Sequence, residues 1–597
     1  MAVHTGDEVL DGKIQQWLEW DKNMVTRREV TDLVSNHCIK ELHDRFDKRI
    51  AFGTAGLRAG MEAGPARIND LTIIQTTQGL LRYLESVNPE CKSQGVVIGY
   101  DARHCSRRFA DLTAAIMLHA GVPVFLFSKI VPTPFVAYAI KKYKTAGGVM
   151  VTPSHNPRGD NGYKVYWGNG AQIISPHDKG ISAAIMANLE PWSTSWDTSV
   201  VTSSPLMTDP LDNIQKLYLQ DLQTRVYDRN LNKKCPVRFT YTAMHGVGTA
   251  YVKKAMEAVG LPPVIDVIEQ VDPDPDFPTV KYPNPEEGKS ALDLSIRTAD
   301  ERGSTVIMAN DPDADRFALA EKQPGGGWKI FSGNELGAVL GWWMWECHQK
   351  WSPHSSRNDV YMLASTVSSK ILRTIADKEG FKFEETLTGF KWMGNKADDL
   401  VRQGKTVLFA FEEAIGYMCG TDVIDKDGVS AAAMAGQLAA YLASTQTTFT
   451  QKLEEIYQVY GFHCSNNSYY LCFDPATMKD IFDRIRTFDD GKYPSSCGNF
   501  KITGIRDLTT GYDSNQPDNK AVLPVSASSQ MITFNFSNGC VATLRASGTE
   551  PKIKYYTEIY TEPASDPEMA KAELQSLVDS IVDIWLQPEI NHLIPKE

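Results

Sequence analysis

The feature that most constrains the fold of this chain is a repeated alternation of apolar segments with helical segments. Gly95–Arg103 has the composition of a buried strand that runs into a charged turn, and Val122–Phe127 has that of a second strand. A helix is predicted between them over Phe109–Ala120, and the apolar run Val149–Thr152 forms a further strand. Strands that alternate with helices are typical of sheets with parallel strands. The pattern therefore predicts an α/β fold.

The same alternation occurs twice more along the chain. Its second occurrence has strands predicted over Val237–Gly246 and Ser304–Asn310, with a helix over Thr249–Val259. The third begins with a tryptophan-rich helix near Phe331, and its predicted strands are Val360–Ala364, Phe381–Glu385 and Val407–Phe411. We therefore predict three similar α/β domains with mixed sheets.

The residues beyond about 462 have a different pattern. Ser468–Phe473 and Met531–Phe536 have the character of antiparallel strands, and a helix is predicted over Asp566–Leu586. At roughly 150 residues per domain, a chain of 597 residues predicts about four domains. We predict an α/β domain with a helical preface in residues 1–210, α/β domains in residues 211–332 and 333–461, and an α+β domain in residues 462–597.

Charge and hydropathy exclude two classes of partner. The formal net charge is -12, whereas binding to nucleic acid or to an acidic membrane surface requires a basic surface. The longest strongly apolar run, Gly337–Trp345, is about half the roughly 18 residues of a membrane span. The first residues lack the basic and apolar segments of a signal peptide. We expect no nucleic-acid or membrane partner, and an anionic substrate would require a local pocket.

The cysteines indicate the compartment. Ten of them are scattered between Cys38 and Cys540 without a CxxC pair. This distribution is typical of a reducing cytosol rather than of a disulfide framework or a zinc knuckle. We therefore expect a cytoplasmic protein with structural cysteines.

Ser154 is the first candidate catalytic residue. It follows the strand Val149–Thr152 and Pro153, which cannot donate to a sheet, and it lies in the turn sequence Ser-His-Asn-Pro. Ligands of open α/β sheets bind outside the carboxyl ends of the strands. A nucleophile or phosphate acceptor would lie at this point, although a serine that only forms the turn is the alternative for this segment taken alone.

Three carboxylates follow another apolar strand. Asp311, Asp313 and Asp315 are spaced so that a loop could bring all of them to one side, which would form a site of oxygen ligands for Mg²⁺. A calcium-binding EF-hand is excluded, because Arg316 and Lys322 occupy the positions that require Gly and Glu. The remaining alternative is a solvated acidic loop, which the apolar strands on both sides disfavour.

Two glycine-containing segments have the composition of anion sites. Phe52–Arg58 combines two glycines with a guanidinium, and a plain turn with a surface arginine is the alternative. Arg545–Lys554 has the parts of a phosphate cradle, which are one guanidinium, two hydroxyls, a glycine and further cations. A turn followed by an exposed basic strand would have the same composition, so this segment alone leaves both interpretations open.

Further polar side chains follow the strand predicted at Val407–Phe411. Glu412 and Glu413 are placed to accept hydrogen bonds from sugar hydroxyls, with a buried ion pair as the alternative. Thr388–Trp392 and Lys426–Gly428 supply lysines on nearby predicted loops, although each of them taken singly is a surface lysine.

Taken together, these motifs resemble the α-D-phosphohexomutase superfamily. The resemblance covers nearly the whole chain from Phe52 to Glu558. It depends on four motifs that occur in order: Thr152-Pro-Ser-His-Asn-Pro157, Asp311-Pro-Asp-Ala-Asp-Arg316, Phe411-Glu-Glu-Ala-Ile-Gly416 and Arg545-Ala-Ser-Gly-Thr-Glu-Pro551. Asp160–Trp167, Asn169–Lys179 and Thr388–Gly394 are similar to the branch that includes pentose-phosphate mutases and a paralogous bisphosphate synthase. The resemblance implies a central cleft and a TBP-like C-terminal domain that acts as a lid.

The resemblance also implies a role for each candidate residue. Ser154 is the phosphoserine, and its phosphate, Asp311, Asp313 and Asp315 hold Mg²⁺. Lys164 is a candidate general acid or base, and it forms the catalytic set with Ser154, Arg58 and His155. The substrate-binding residues implied are Arg58, Arg316, Thr388, Gly389, Lys391, Glu412, Ala414, Lys426, Arg545, Ser547, Gly548, Thr549 and Lys554. Arg58, His155, Lys164, Arg316 and Lys426 are expected to be active-site charges.

The implied activity is that of a phosphosugar mutase with a bisphosphate intermediate. The expected substrates are the 1- and 5-phosphates of ribose and deoxyribose, and less efficiently the 1- and 6-phosphates of glucose. Glucose 1,6-bisphosphate or a pentose 1,5-bisphosphate is the expected activator. Ala414 replaces the serine of the hexose-specific branch. The alternative is a glucose 1,6-bisphosphate synthase that uses 1,3-bisphosphoglycerate, and a non-enzymatic relative is disfavoured because every motif keeps its Ser, Asp or Arg.

Overall fold

The computed structural model describes residues 3–53, 56–287, 289–527, 529–547, 551–563 and 565–596. The chain forms two compact units. The first unit comprises Met1–Leu336, Trp343–Pro353 and Gly389–Phe449, and the second comprises Gly337–Trp342, His354–Thr388 and Thr450–Glu597. The predicted domain limits at residues 210, 332 and 461 stay a prediction, because these units divide the chain at other positions.

The N-terminal preface consists of three helices: Glu8–Trp20, Met24–Ser35 and Ile39–Phe46. Apolar residues at i, i+3 and i+4 spacing over Glu29–Phe46 predict one continuous helix, but His37 has a positive φ of 51°, which a helix does not allow. The apolar faces pack together around Leu10, Ile14, Trp17, Val30, Leu42 and Phe46. The preface therefore has a small core of its own.

The first sheet is mixed, as predicted. Its six strands, in spatial order, are Gly56–Gly60, Asp160–Trp167, Gly147–Val151, Val96–Tyr100, Val124–Leu126 and Met207–Thr208. The first two pairings are antiparallel and the other three are parallel. Its helices are Asp70–Val87, Cys91–Gln94, Ser106–His119, Thr133–Tyr143, His177–Met186 and Val200–Ser203. The apolar residues of the strands and helices form one core, which places the polar loops at its edge.

The second sheet repeats the mixed arrangement. Its five strands, in spatial order, are Trp328–Ile330, Ala318–Lys322, Val306–Ala309, Phe239–Thr242 and Ile265–Asp266. The α-helices of this region are Leu211–Thr224, Arg229–Lys233, Gly248–Val259 and Lys289–Arg302, with short 3₁₀ turns at Ile268–Gln270 and Pro285–Glu287. Residues Asn310–Arg316, which we call the aspartate loop, connect two antiparallel strands of this sheet.

The third region has strands in both units. Val360–Ser365 and Lys382–Thr386 pair in parallel within the second unit, and Thr406–Glu412 and Gly416–Cys419 pair antiparallel within the first. The α-helices are Gly333–Trp351, Ile371–Glu379, Phe390–Arg402, Gly428–Ser444 and Phe449–Tyr460, with a 3₁₀ turn at Arg357–Asp359. The predicted tryptophan-rich helix and all three predicted strands are confirmed.

The C-terminal region is an antiparallel sheet with helices on one face, as the predicted α+β domain requires. Its strands are Ser496–Cys497, Phe500–Asp507, Met531–Phe536, Cys540–Ala546, Lys552–Thr561, Phe462–Leu471 and Ile594–Pro595 in spatial order, with Tyr512–Asp513 beside Phe500–Asp507. The helices are Pro475–Arg486 and Pro567–Ser580, and a π-helical turn follows at Ile581–Leu586. The sequence predicted one α-helix as far as Leu586. Its last residues form the wider π-helical turn instead, and Trp585 in this turn is buried in the core.

Two further observations concern membrane and redox expectations. No helix in the described ranges combines the length and the hydrophobicity that a membrane crossing requires. All ten cysteines lie in described residues, and none of them forms a disulfide bond. Six of them are buried, whereas Cys105 is exposed.

Candidate active site

Ser154 follows the strand Gly147–Val151 in a left-handed conformation. Its φ is +60°, and its amide donates a hydrogen bond to Thr152 Oγ1 at 3.0 Å. The serine hydroxyl lies 3.0 Å from Asp311 Oδ2 and 3.4 Å from His155 Nδ1, and the residue is 3% exposed. The predicted nucleophile is therefore held at a strand end, next to the first carboxylate of the aspartate loop.

Arg103 holds the loop of Ser154 through backbone carbonyls. Its guanidinium donates hydrogen bonds to the carbonyl oxygens of Ser154 at 2.7 Å, Asn156 at 2.5 Å and Pro157 at 2.7 Å. Arg103 is 4% exposed, and its Nε lies 3.4 Å from Asp101 Oδ2. The sequence placed Arg103 in a charged turn and assigned it no role. Its only signal was an Asp-Ala-Arg sequence directly after a buried strand, because carbonyl acceptors have no sequence pattern.

The three aspartates of the aspartate loop come together as predicted. One carboxylate oxygen from each of Asp311, Asp313 and Asp315 lies within 4.8 Å of the others, and all three residues are buried. Backbone hydrogen bonds shape the loop, since Val247 donates to the Pro312 carbonyl at 2.9 Å and Gly428 donates to the Ala314 carbonyl at 3.2 Å.

The chemistry of this cluster fits a hard divalent cation. Asp313 Oδ1 and Asp315 Oδ1 are buried and have no hydrogen-bond partner. Burial, followed by repulsion from Asp313 and Asp315, raises the pKa of Asp311 well above its ordinary value. Because buried carboxylates without partners are costly, an ion with oxygen ligands would stabilise all three. A solvated acidic loop does not match this burial.

Two lysines face the same carboxylates. Lys164 Nζ lies 2.7 Å from Asp313 Oδ2 and 3.2 Å from Asp315 Oδ2, and Lys426 Nζ lies 3.3 Å from Asp315 Oδ2. Although burial opposes their charge, the neighbouring carboxylates raise the pKa of both lysines. Both ammonium groups are therefore charged at neutral pH, and Lys164 donates hydrogen bonds to both carboxylates.

Thr133 is a further contact that the sequence did not reveal. Its hydroxyl donates to Asp313 Oδ2 at 2.5 Å, and its amide donates to the Asp313 carbonyl at 2.9 Å. Burial acts to raise the pKa of Asp313, but Lys164 and Thr133 hold it below its ordinary value. Thr133 begins the helix Thr133–Tyr143 after a proline, and no motif distinguishes it from an ordinary helix start.

The other predicted charges of the first unit differ in their surroundings. Arg58 is exposed and donates to Asn156 Oδ1 at 3.0 Å, and Arg316 forms an ion pair with Glu286 at 3.4 Å. Burial, with the charges of Arg316 and Arg58, lowers the pKa of His155 well below its ordinary value. This lowered pKa favours the neutral imidazole, and the charge that the resemblance implies for His155 stays a prediction.

Glu412 ends the strand Thr406–Glu412, and its Oε1 accepts a hydrogen bond from the Gly389 amide at 2.5 Å. Gly389 has a φ of 101° and begins the helix Phe390–Arg402. Lys391 therefore lies in the first turn of a helix rather than on the predicted loop. The partly exposed Ala414 lies in the turn that follows Glu412.

This turn is connected to the aspartate loop by backbone contacts. Phe317 donates its amide to the Ile415 carbonyl at 3.0 Å, and Arg316 forms an isolated bridge with Gly416. The motifs Asp311–Arg316 and Phe411–Gly416 are therefore joined in space within the first unit.

The remaining predicted residues belong to the second unit. Arg545 and Lys554 lie opposite each other on neighbouring strands, and the Ser547 amide donates to the Lys552 carbonyl at 2.9 Å. Thr388 follows the strand Lys382–Thr386. Gly548 and Thr549 lie outside the described residues, so their predicted role stays a prediction.

Comparisons with known proteins agree with this fold. Three family descriptions match the chain: phosphoglucomutase/phosphomannomutase α/β/α domain I over residues 49–191, domain II over residues 216–326 and domain III over residues 332–460. The chain belongs to the phosphoglucomutase/phosphomannomutase family. The superfamily resemblance inferred from the four motifs is confirmed.

Individual relatives are similar over nearly their full length. The chain is 55% identical over 599 residues to the phosphopentomutase of Pongo abelii, covering 99% of this chain and 98% of the relative. It is also 55% identical over 603 residues to the glucose 1,6-bisphosphate synthase of Pongo abelii, covering 99% and 96%. The open crystal structure of parafusin, a phosphoglucomutase from Paramecium, matches with a TM-score of 0.66 at 19% identity, over 90% of this chain and 95% of that one. This structural likeness concerns the fold.

Proposed function

We propose that this protein is a phosphosugar mutase that interconverts the 1- and 5-phosphates of ribose and deoxyribose, and less efficiently the 1- and 6-phosphates of glucose. The observation that carries the proposal is the position of Ser154, whose hydroxyl contacts a buried aspartate cluster that two lysines face. The phosphopentomutase that is 55% identical to the chain supports the pentose substrate.

In the proposed reaction Ser154 carries the phosphoryl group. The phosphoryl passes from Ser154 Oγ to the free hydroxyl oxygen of a sugar monophosphate; a base takes the hydroxyl proton, and Ser154 Oγ gains a proton as its bond to phosphorus breaks. The bisphosphate then turns over, and its other phosphoryl returns to Ser154 Oγ, which gives up its proton while another proton is delivered to the sugar oxygen that the phosphoryl leaves. Phosphoryl transfer depends mainly on positioning and charge neutralisation, which Arg58, Lys164, Arg316 and Lys426 provide.

The chain would hold Mg²⁺ with Asp311, Asp313 and Asp315, together with a phosphate oxygen on Ser154. Bound there, Mg²⁺ supplies neutralisation of the charge that develops on the transferred phosphoryl. The two carboxylate oxygens without partners support this assignment. Lys164 then orients Asp313 and remains the candidate proton donor.

Substrate binding is divided between the sugar and its second phosphate. We assign the sugar hydroxyls to Glu412, with Thr388, Gly389 and Lys391 beside them in sequence. Glu412 Oε1 is used by the Gly389 amide, which leaves the other oxygen to accept from a hydroxyl. Arg545, Ser547, Gly548, Thr549 and Lys554 would bind the phosphate remote from the reacting one.

Preference for a pentose follows from Ala414. A serine at this position could donate a hydrogen bond to a hexose hydroxyl, whereas alanine offers only a methyl group. A pentose lacks one hydroxymethyl carbon, so it loses less binding energy when residue 414 has no hydroxyl. The difference is worth about 0.5–1.5 kcal/mol, which is a few-fold to about tenfold in kcat/KM.

A second candidate activity has direct support from a relative. The glucose 1,6-bisphosphate synthase is as similar to the chain as the phosphopentomutase is. We favour the mutase because Ser154 can both give and take back a phosphoryl without an additional donor. Glucose 1,6-bisphosphate or a pentose 1,5-bisphosphate would then act as the activator, by restoring phosphoserine after an intermediate has escaped.

The test is a parallel assay of ribose 1-phosphate and glucose 1-phosphate, each with and without glucose 1,6-bisphosphate. A mutase with the proposed preference gives ribose 5-phosphate at the higher kcat/KM. Faster formation of glucose 1,6-bisphosphate from glucose 1-phosphate and 1,3-bisphosphoglycerate would establish the synthase instead.

Three further assignments belong to the proposal. We retain the four-domain division at residues 210, 332 and 461, with the C-terminal domain as a lid. Such a lid would exclude water while the bisphosphate is bound. Ten free cysteines support a reducing compartment, and we propose the cytoplasm.

A further inference from the structure

The residues next to the two active-site lysines contact each other. Tyr166 lies two residues after Lys164 on the strand Asp160–Trp167, and Asp425 directly precedes Lys426. The Tyr166 hydroxyl donates a hydrogen bond to Asp425 Oδ2 at 2.8 Å. Residues two apart on a strand project from the same face of the sheet. One hydrogen bond therefore joins the two segments that carry the lysines.

Within the described part of the chain, the Asp425 carboxylate forms polar contacts with Tyr166, Gln172 and Lys426. Its Oδ2 also accepts from Gln172 Nε2 at 2.7 Å, and its Oδ1 accepts from the Lys426 amide at 2.8 Å. Tyr166 and Asp425 are each 1% exposed. Burial and the charge of Asp425 raise the pKa of Tyr166 well above its ordinary value, so the phenol remains a donor at neutral pH.

Lys426 itself is confined by these neighbours. Its Nζ lies between Asp315 Oδ2 at 3.3 Å and Asp425 Oδ1 at 3.8 Å. A Cβ on Gly416 would lie 2.4 Å from Lys426 Cδ, so the stem of the lysine packs directly on this glycine. The ring of Phe390 lies 5.6 Å from the ammonium.

We infer that Tyr166, Gln172 and Asp425 are positioning residues that set the place of the Lys426 ammonium relative to Lys164. Both lysines contact the same carboxylate of Asp315, so a change in their separation changes the charge around the aspartate loop. A free lysine side chain has rotamer entropy that a confined one has already lost before the substrate binds. The inference rests on the proposed function, because the lysines act in its phosphoryl transfer.

Asp427, which directly follows Lys426, has a different structural role from Asp425. Asp427 accepts from the amides of Val429 at 3.1 Å and Ser430 at 3.0 Å, and so caps the helix Gly428–Ser444. Its Oδ2 accepts from the Tyr218 hydroxyl at 2.7 Å. Asp427 is explained by the start of the helix, whereas the polar contacts of the Asp425 carboxylate within the described residues are those with Tyr166, Gln172 and Lys426.

The test begins with Tyr166→Phe, which removes the hydroxyl and keeps the ring. We expect kcat with ribose 1-phosphate to fall about tenfold and KM to change less than about twofold, since the substrate phosphate still finds its ligands. Asp425→Asn is the second variant, with the same direction of change. Tyr163→Phe is the matched control, because its hydroxyl lies on the same strand but bonds Thr77 Oγ1 at 3.0 Å in the core. This control should keep kcat.

A double-mutant cycle separates positioning from general stability. If Tyr166 acts through Lys426, Tyr166→Phe changes kcat less than about twofold when Lys426→Met is already present. Equal effects in both backgrounds would overturn the inference, and so would an unchanged kcat in both Tyr166→Phe and Asp425→Asn. Full activity of Lys426→Met would also overturn it, while the mutase proposal itself would stand or fall with Ser154→Ala.

Discussion

In the first unit the candidate nucleophile and carboxylates lie at or just after strand ends, whereas in the second unit the candidate cations Arg545 and Lys554 lie along a sheet face. Ser154 and Asp311 come directly after buried strands, and Glu412 is the last residue of its strand. Arg545 and Lys554 instead lie within two neighbouring antiparallel strands. Strand ends bring side chains and backbone amides to one point, while a sheet face spreads charges over several strands. The first arrangement suits the reacting atoms, and the second suits a phosphate that is only held.

The two units also differ in the pKa shift of a buried carboxylate, which is upward for Asp311 and downward for Glu385. Burial and mutual repulsion raise the pKa of Asp311 in the first unit. In the second unit Glu385 is surrounded by Lys370, Arg373 and Arg506, which overcome its burial and lower its pKa to about 2. A cluster with excess like charge indicates a site that requires a ligand, and one with matched charge indicates structural stabilisation.

The largest expected effect is that of Ser154→Ala. If strand-end residues perform the chemistry, loss of the hydroxyl that carries the phosphoryl group reduces kcat by about 10⁴-fold or more. The measurement is mutase turnover, with intact mass recorded before and after exposure to glucose 1,6-bisphosphate. The unaltered protein should gain one phosphoryl mass and the variant none. Full turnover in the variant would contradict the role of Ser154.

The next effect concerns the aspartate cluster. Asp313→Asn removes one charged ligand, so kcat should fall about 10²–10³-fold and the Mg²⁺ concentration for half-maximal activity should rise. Chelation by EDTA should abolish turnover and added Mg²⁺ should restore it. Asp300→Asn is the control, because its carboxylate pairs with Lys322 at the surface. Unchanged turnover in EDTA would remove the metal from the mechanism.

Glu385→Gln tests the structural cluster of the second unit. The folded-state pKa of Glu385 is below its unfolded value, so its stabilisation is present above about pH 5 and is lost as the pH falls towards 2. At pH 7 the variant should lose about 3 kcal/mol of unfolding free energy, and at pH 2 much less. Urea unfolding at both pH values measures this. Glu568→Gln, whose partner Lys571 is exposed, should change neither value.

Arg545→Ala tests whether the sheet face binds rather than reacts. Loss of a charged hydrogen bond to phosphate costs about 1.5–3 kcal/mol, which is roughly a 10- to 100-fold rise in KM, with a smaller fall in kcat. Steady-state kinetics with ribose 1-phosphate separates the two constants. A fall confined to kcat would place Arg545 at the reacting phosphate, and Lys571→Ala serves as a surface control.

The smallest expected effect is that of Ala414→Ser. The added hydroxyl should raise the glucose-to-ribose ratio of kcat/KM by a few-fold to about tenfold, because it offers one hydrogen bond to a hexose. Both substrates are assayed with the same enzyme preparation. A ratio that stays the same or falls would leave the pentose preference to family similarity alone.

The sequence was sufficient to predict the three mixed sheets, the antiparallel C-terminal sheet, Ser154 and the aspartate cluster. These depend on local patterns, since an apolar strand followed by a polar turn fixes the position of the next side chain. The break at His37 and the π-helical turn at Ile581–Leu586 were missed because packing decides them.

Contacts between distant segments were the other class of feature that could not be predicted. Thr133 and Asp313 are 180 residues apart, and Tyr166 and Asp425 are 259 apart. Neither pair has a spacing that would connect them in the sequence. Arg103 was visible as a charge, but its three carbonyl acceptors could be recognised only from the folded backbone.

Arg103 holds the loop of Ser154 by hydrogen bonds to backbone oxygens, and this affects which substitutions the loop tolerates. Every amino acid, proline included, provides a carbonyl oxygen, so the hydrogen bonds from Arg103 do not themselves depend on which side chains follow Ser154. Arg158 is exposed and directly follows the residues whose carbonyl oxygens accept hydrogen bonds from Arg103. It can be randomised without losing these hydrogen bonds. A library at this position would retain the serine in place and vary only what surrounds it, which makes the loop a practical starting point for directed evolution of new sugar specificities.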